Sequence, residues 1–179
     1  MKRQVISSLE DLDRLEREIL LAAETSVASL KQTLNNQGSL DAFARLKFSQ
    51  AGCDPLDVGR PLNFIEQLNQ TFTYLASVLG ARWLISHHHE CLPLVLNLGT
   101  ASGFDISSEC GRFVAETFAV THPGSNDKLR KDVAKMQTTV ADHRFVFYLS
   151  PSTDGPFEAH GVTIVQLEHP AIRGLNSDA

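Results

Sequence analysis

Two acidic residues stand where a strand pattern asks for apolar ones. Gly103-Phe104-Asp105-Ile106 and Phe113-Val114-Ala115-Glu116-Thr117-Phe118 both read as β-structure, separated by the turn-forming stretch Ser107-Ser108-Glu109-Cys110-Gly111. A charge inside such a strand is costly unless it is paired or bound to a metal. A tight hairpin brings Asp105 and Glu116 together, which suggests a shared cation. Any fold for this chain has to compensate that pair.

The surrounding pattern predicts an α/β domain. Ser7-Ser8-Leu9-Glu10 is a helix start with a capping serine and an acid three residues on. From there to about Leu34 apolar residues recur at three- and four-residue steps, through Leu12, Leu15, Ile19, Ala23, Val27 and Leu30, giving a long amphipathic helix. A short helix near Leu40–Ser49 leads into a connecting segment broken by Gly52, Pro55, Gly59 and Pro61. A second strong helix is expected over about Asn63–His88, with Ile65, Leu68, Phe72, Leu75, Ala76, Leu79 and Trp83 along one face. Strands follow at Leu92–Leu98, Gly103–Ser107 and Arg112–Val120, then a helix capped by Ser125-Asn126 and running to about Val140, then strands at His143–Leu149 and Gly161–Leu167. We therefore expect a long N-terminal helix over residues 1–38 and an α/β domain with a mixed sheet over residues 39–179, compact as a whole.

Composition narrows the function classes. With 42% hydrophobic and 21% charged residues the chain has the make-up of an ordinary globular protein, and no run is long and apolar enough for a membrane span. The start, Met1-Lys2-Arg3-Gln4-Val5-Ile6, lacks an apolar signal core, so a cytoplasmic location is expected. A net charge of −5 argues against a general nucleic-acid coat, while leaving room for a local basic groove. Cys53, Cys91 and Cys110 are odd in number and widely spaced, which fits reduced, semi-buried thiols rather than a disulfide framework or zinc pattern. His87-His88-His89-Glu90 marks a helix end, because neighbouring helical residues point about 100° apart and cannot converge on one ion.

The element order and the two acids together resemble the PD-(D/E)xK nuclease superfamily, the restriction-endonuclease-like fold. Its core is a helix, a three-strand meander, a second helix and another strand, an αβββαβ order that the segments from about Asn63 to Leu149 repeat. The resemblance implies that Asp105 is the motif Asp, Glu116 the motif Glu and Glu66 the first-helix Glu, with the Thr117 carbonyl as a backbone ligand for Mg²⁺ or Mn²⁺. It implies hydrolysis of a nucleic-acid phosphodiester by a metal-activated water. One position departs from the family. Alternation puts Val114, Glu116, Phe118 and Val120 on one strand face, so the motif lysine's place is taken by Phe118. Lys128, Lys131 and Lys135 lie along the following helix, and of these Lys128 is the expected replacement, with His122 second.

Each piece also has a plainer explanation. Asn63-Phe64-Ile65-Glu66 has capping-box spacing, Asp105 is close to a turn, and Glu116 could pair with Arg112 or a helix lysine. Gln67 and Gln70 are expected to face solvent, and Lys128-Leu129-Arg130-Lys131-Asp132 reads as a solvated helix face. The alternative to a nuclease is a catalytically inactive binding or oligomerisation module on the same fold, forming a homodimer through the N-terminal helix. A small-molecule-binding α/β domain without metal is the third reading.

Overall fold

The computed structural model describes residues 2–35, 38–99, 102–152, 159–173 and 175. In chain order its elements are β1 (Lys2–Ile6), α1 (Leu9–Asn35), α2 (Ser39–Phe48), β2 (Gly52–Asp54), β3 (Asp57–Leu62), α3 (Phe64–His87), β4 (Leu94–Leu98), β5 (Ile106–Ser108), β6 (Phe113–Ala119), α4 (Lys128–Gln137), β7 (His143–Leu149) and β8 (Thr163–Leu167). The fold is mixed α/β with a long N-terminal helix, as expected. The chain divides into two compact units, one of residues 1–12 and 76–179 and the other of residues 13–75. Among the described residues no helix is long and apolar enough to cross a membrane.

The first unit holds a six-stranded mixed sheet in the order β1-β4-β5-β6-β7-β8. Strands β4, β5 and β6 form an antiparallel meander, β7 and β8 then run parallel to β6, and β1 closes the other edge against β4. The sequence pattern missed β1, since five residues with two basic ones leave little alternation to read. Every side chain of β6 from Phe113 to Phe118 is buried, so both of its faces are covered. On one face Val114 and Phe118 join Leu129 and Met136 of α4 and Val146 and Tyr148 of β7 in a core cluster. On the other, Trp83 of α3 meets Phe145 and Phe147 at ring-centroid distances of 5.7 and 5.5 Å.

Gly80 permits that second layer. A Cβ there would lie 3.0 Å from Phe147 Cδ2 and 3.2 Å from Ile106 Cδ1, so the helix comes within contact distance of β5 and β7. In the last turn His87 Nδ1 lies 2.8 Å from the Trp83 carbonyl, and the histidine run forms a helix end as expected.

The second unit contains residues of α1 and α3 with α2 and the β2–β3 ribbon. This ribbon was expected as a plain connecting segment. Asp54 holds it together: the carboxylate is fully buried and accepts hydrogen bonds from the Leu56 amide (3.0 Å), Arg60 (3.2 Å) and the Tyr74 hydroxyl (3.4 Å). Burial and then the Asp54 charge push the Tyr74 phenol up to about 12. Gln67, expected in solvent, is 2% exposed, because its Oε1 accepts the Cys53 amide at 3.0 Å and its Nε2 donates to the Ala22 carbonyl at 3.4 Å. Gln70 is half-buried beside the Tyr74 hydroxyl. Of the thiols, Cys91 is buried and pushed up to about 11, Cys53 is half-buried and Cys110 exposed.

Gly80→Val should lose about 1–3 kcal/mol of unfolding free energy, because the added methyls meet the Phe147 ring and Ile106. Urea denaturation measures it, and an unchanged midpoint would contradict the close helix–sheet approach.

Candidate functional site

The β5–β6 pairing sets Ile106 opposite Ala115 and Ser107 opposite Val114 and ends there, with Asp105 and Glu116 the next residue out on each strand. On the β4 side the Asn97 amide donates to the Asp105 carbonyl at 2.9 Å, which keeps Asp105 in line with β5. By alternation Asp105 shares a face with Ser107 and Glu116 shares one with Val114, and Ser107 and Val114 are themselves paired. The two acids therefore meet on the α4 side of the sheet, among Val114 and Phe118.

Asp105 is held by the next strand. Its Oδ2 accepts the Thr117 amide at 2.7 Å and the Thr117 hydroxyl at 3.4 Å, while Oδ1 accepts nothing from a described residue. Thr117 is itself pinned from the α3 side, where its Oγ1 lies 2.7 Å from Ser77 Oγ. Burial pushes the Asp105 carboxyl up; the Thr117 amide, Lys128 and Lys135 oppose this, and the Asp132 charge adds to it.

Glu116 is 6% exposed and has one strong partner. Lys135 Nζ lies 2.5 Å from its Oε1, 3.0 Å from the Gly103 carbonyl and 5.2 Å from the Phe104 ring centroid. One ammonium thus ties β6 to the segment that leads into β5. Burial pushes the Glu116 carboxyl up, opposed by the Lys135 hydrogen bond, with the charges of Asp105 and Asp132 adding to the rise.

Helix α4 supplies the cations by its periodicity. Lys128, Asp132 and Lys135 recur at steps of four and three and so share a flank, while Leu129 and Met136 anchor the helix in the core. Lys128 bonds Asp132 Oδ1 at 2.7 Å and stands 5.9 Å from the Phe118 ring centroid. It does not take the contact with Glu116 that Lys135 takes; its charge is felt at Asp105. The helix also starts later than expected. Asn126 and Asp127 adopt left-handed backbone at φ 58° and 54°, so Ser125-Asn126 forms a short 3-10 turn rather than the cap.

Asp132 is not on a solvated face, contrary to the expectation from the charged run Lys128–Asp132. It is 5% exposed, three residues after Leu129 and four before Met136, inside the buried stripe. Its Oδ2 is sealed from solvent and has no hydrogen-bond partner among the described residues. That i, i+3, i+7 spacing was the signal in the sequence that could have found it.

The other expected participants are placed elsewhere. Glu66 belongs to the second unit and closes the capping box, its amide donating to Asn63 Oδ1 at 2.8 Å and its Oε2 accepting the Asn63 amide at 3.4 Å. His122 is exposed and accepts the Gly124 amide at 3.1 Å. Arg112 pairs with Asp142 at 2.7 Å, not with Glu116. Lys131 is exposed on α4. Among the described residues no three His, Cys, Asp or Glu side chains are gathered tightly enough to hold one metal ion as they stand.

Beside the acids the same sheet face is open. A groove of about 650 Å³ runs over Arg3, Val5, Val95, Phe104, Ser107 and Val114, joined by a smaller one of about 260 Å³ that reaches Asn97 and Gly103. Arg3 is its cation and Glu109 its acid, so the lining is not strongly basic. Comparison with protein-family models, with curated proteins and with solved structures found no match to this chain.

Lys135→Met removes the partner of a buried carboxylate, and should cost about 1–3 kcal/mol near pH 8. The sign with pH follows from the raised Glu116 carboxyl: the native state holds its proton after the unfolded chain has lost it, so stability present at low pH falls as pH rises through the native value. The loss in Lys135→Met should therefore shrink toward pH 5 or so, and Lys135→Met with Glu116→Gln should recover most of it. Urea melts across that range test it, and a loss independent of pH would contradict the pairing.

Proposed function

We propose that this protein is a metal-dependent phosphodiester hydrolase of the PD-(D/E)xK type acting on nucleic acid, with Asp105 and Glu116 as ligands for Mg²⁺ or Mn²⁺ and Lys135 as the displaced motif lysine. The single observation carrying the reading is the 2.5 Å contact of Lys135 with Glu116, on the strand whose next residue, Thr117, donates its amide to Asp105. The order of helix, antiparallel three-strand meander, helix and parallel strand supports it, since this is the core that the resemblance calls for.

The donor set suits a hard cation. Asp105 Oδ1 and Glu116 Oε2 take no hydrogen bond from a described residue, and neither is among the sealed polar atoms. Carboxylate oxygens of this kind are what Mg²⁺ prefers, and the Thr117 backbone carbonyl is the further ligand proposed. When bound, the metal supplies positive charge against the scissile phosphate and lowers the pKa of a water. The chain's own residues do the rest. The Thr117 amide fixes Oδ2 of Asp105 and leaves Oδ1 free, and Ser77 holds Thr117 in turn. Lys135 orients Glu116 and keeps a half-exposed ammonium beside Gly103 and Phe104, where it is open to a phosphate oxygen. Glu66 has no part in this version, because the capping box accounts for it.

A second reading, a binding or oligomerisation module, is favoured by one observation: Leu40, Phe43 and Phe48 of α2 are 80%, 67% and 78% exposed. The two readings differ in whether the acids take a metal. Calorimetric titration with Mg²⁺ and Mn²⁺ should give stoichiometric binding that weakens at least about tenfold in Asp105→Asn and in Glu116→Gln. Lys135→Met should then keep metal binding and lower cleavage of labelled nucleic acid about a hundredfold or more. Negligible binding in all forms would sink the hydrolase and leave the module.

A further inference from the structure

We infer that this protein pairs with a second copy of itself through the exposed flank of α1, the two helices running antiparallel about a two-fold axis at Val27. The inference is independent of the metal reading and names the partner that the exposed flank takes.

Helix α1 carries two stripes. Leu15, Ile19, Ala22 and Ser26 are buried and hold the helix in its own unit. Leu20, Glu24, Val27, Lys31 and Leu34 recur at steps of four and three, within about 80° of the helix circumference, and form the second. This one faces solvent, with Leu20, Val27 and Leu34 39%, 44% and 45% exposed. Apolar residues repeated every seven positions are the spacing by which one helix packs along another. An outer flank of a helix already anchored by its inner stripe needs no such repeat.

The charges choose the occupant. Glu24 and Lys31 are exposed, and neither has a partner among the described residues. Two turns, about 10 Å of helix rise, separate them, so they cannot pair within one helix. Read from either end, the stripe alternates apolar and charged residues, with only the sign of the charge inverted. Turned end for end against itself it sets Leu20 against the partner's Leu34, Val27 against the partner's Val27, and Glu24 against the partner's Lys31. A two-fold interface requires this self-complementarity. A parallel pairing would set Glu24 against the partner's Glu24 and Lys31 against the partner's Lys31, and like charges so placed repel. A stable interface buries roughly 800 Å² per partner. Leu40 and Phe43 of α2, which follow closely in the chain and are 80% and 67% exposed, add apolar area toward it.

The test is analytical ultracentrifugation of the full chain over a micromolar concentration series, with variants at positions already exposed in the single chain. The parent should sediment as a monomer–dimer equilibrium. Val27→Glu sets two carboxylates face to face at the two-fold axis and should weaken the dimer about a hundredfold or more. Glu24→Lys and Lys31→Glu should each weaken it about tenfold, because both copies of the charge pair become like charges. Mixing those two variants in equal amounts should restore a dimer with one chain of each. That restoration does not depend on how Val27→Glu folds, which circular dichroism melts check separately. A parent that is monomeric throughout the series overturns the inference. So does a dimer that Val27→Glu leaves unweakened, since the contact then lies on another face. A dimer lost in Val27→Glu but indifferent to both charge reversals overturns the antiparallel pairing.

Discussion

The rest of the sheet unit is arranged around one burden, a glutamate in the middle of a strand that is covered on both faces. Glu116 sits between Val114 and Phe118 under α4, and its charge has to be met from above. Helix α4 meets it by being two-sided along its length. Leu129 and Met136 go into the core, and the flank carrying Lys128, Asp132 and Lys135 lies along the acids. A helix set one residue off would put Lys135 out of reach and a hydrophobic residue over the carboxylate. The left-handed Asn126 and Asp127 make that register possible by delaying the helix until Lys128.

The opposite face of β6 gives the site its stiffness. Thr117 bonds Ser77, and Gly80 lets the same helix press against Phe147 and Ile106, so the strand cannot roll. The Thr117 amide is thereby aimed at Asp105 by contacts on the far side of the sheet. Geometry of this kind, in which a ligand's orientation is fixed by a packed layer behind it, is what a metal or phosphate site requires. The same arrangement is also a stable way to bury an acid, which is why metal titration rather than shape separates the two readings.

Much of this was legible in the sequence, and the failures have physical causes. Long apolar periodicity gave α1 and α3, β-branched and aromatic runs gave β4, β6 and β7, and the interrupted strands pointed to Asp105 and Glu116. Short edge pieces were not legible: β1 and the β2–β3 ribbon have no room for a period, and the glycines and prolines around Asp54 read as a plain connection although the ribbon is built on that acid. Within the site the strand acids were readable and the helix side was not. Lys128 and Lys135 share one flank, and only the tilt of the helix over β6 decides that Lys135 meets Glu116. Asp132 was hidden by its charged neighbours Arg130 and Lys131, since a local run of charge reads as surface even where every third or fourth position turns inward.

The balance of charge also orders events at the proposed site. A chain with a net charge of −5 whose acid cluster keeps one uncompensated negative charge repels a phosphate at close range, where screening is weakest. Arg3 lines the neighbouring grooves, whose lining includes neither of the two acids. In the proposed function a divalent ion held by Asp105 and Glu116 would remove that repulsion. On this reading the metal-free protein is a poor ligand for any polyanion and the loaded one a competent ligand, so metal binding comes before substrate. An acidic protein with one guarded site can then act on nucleic acid without the basic surface that broad binding requires.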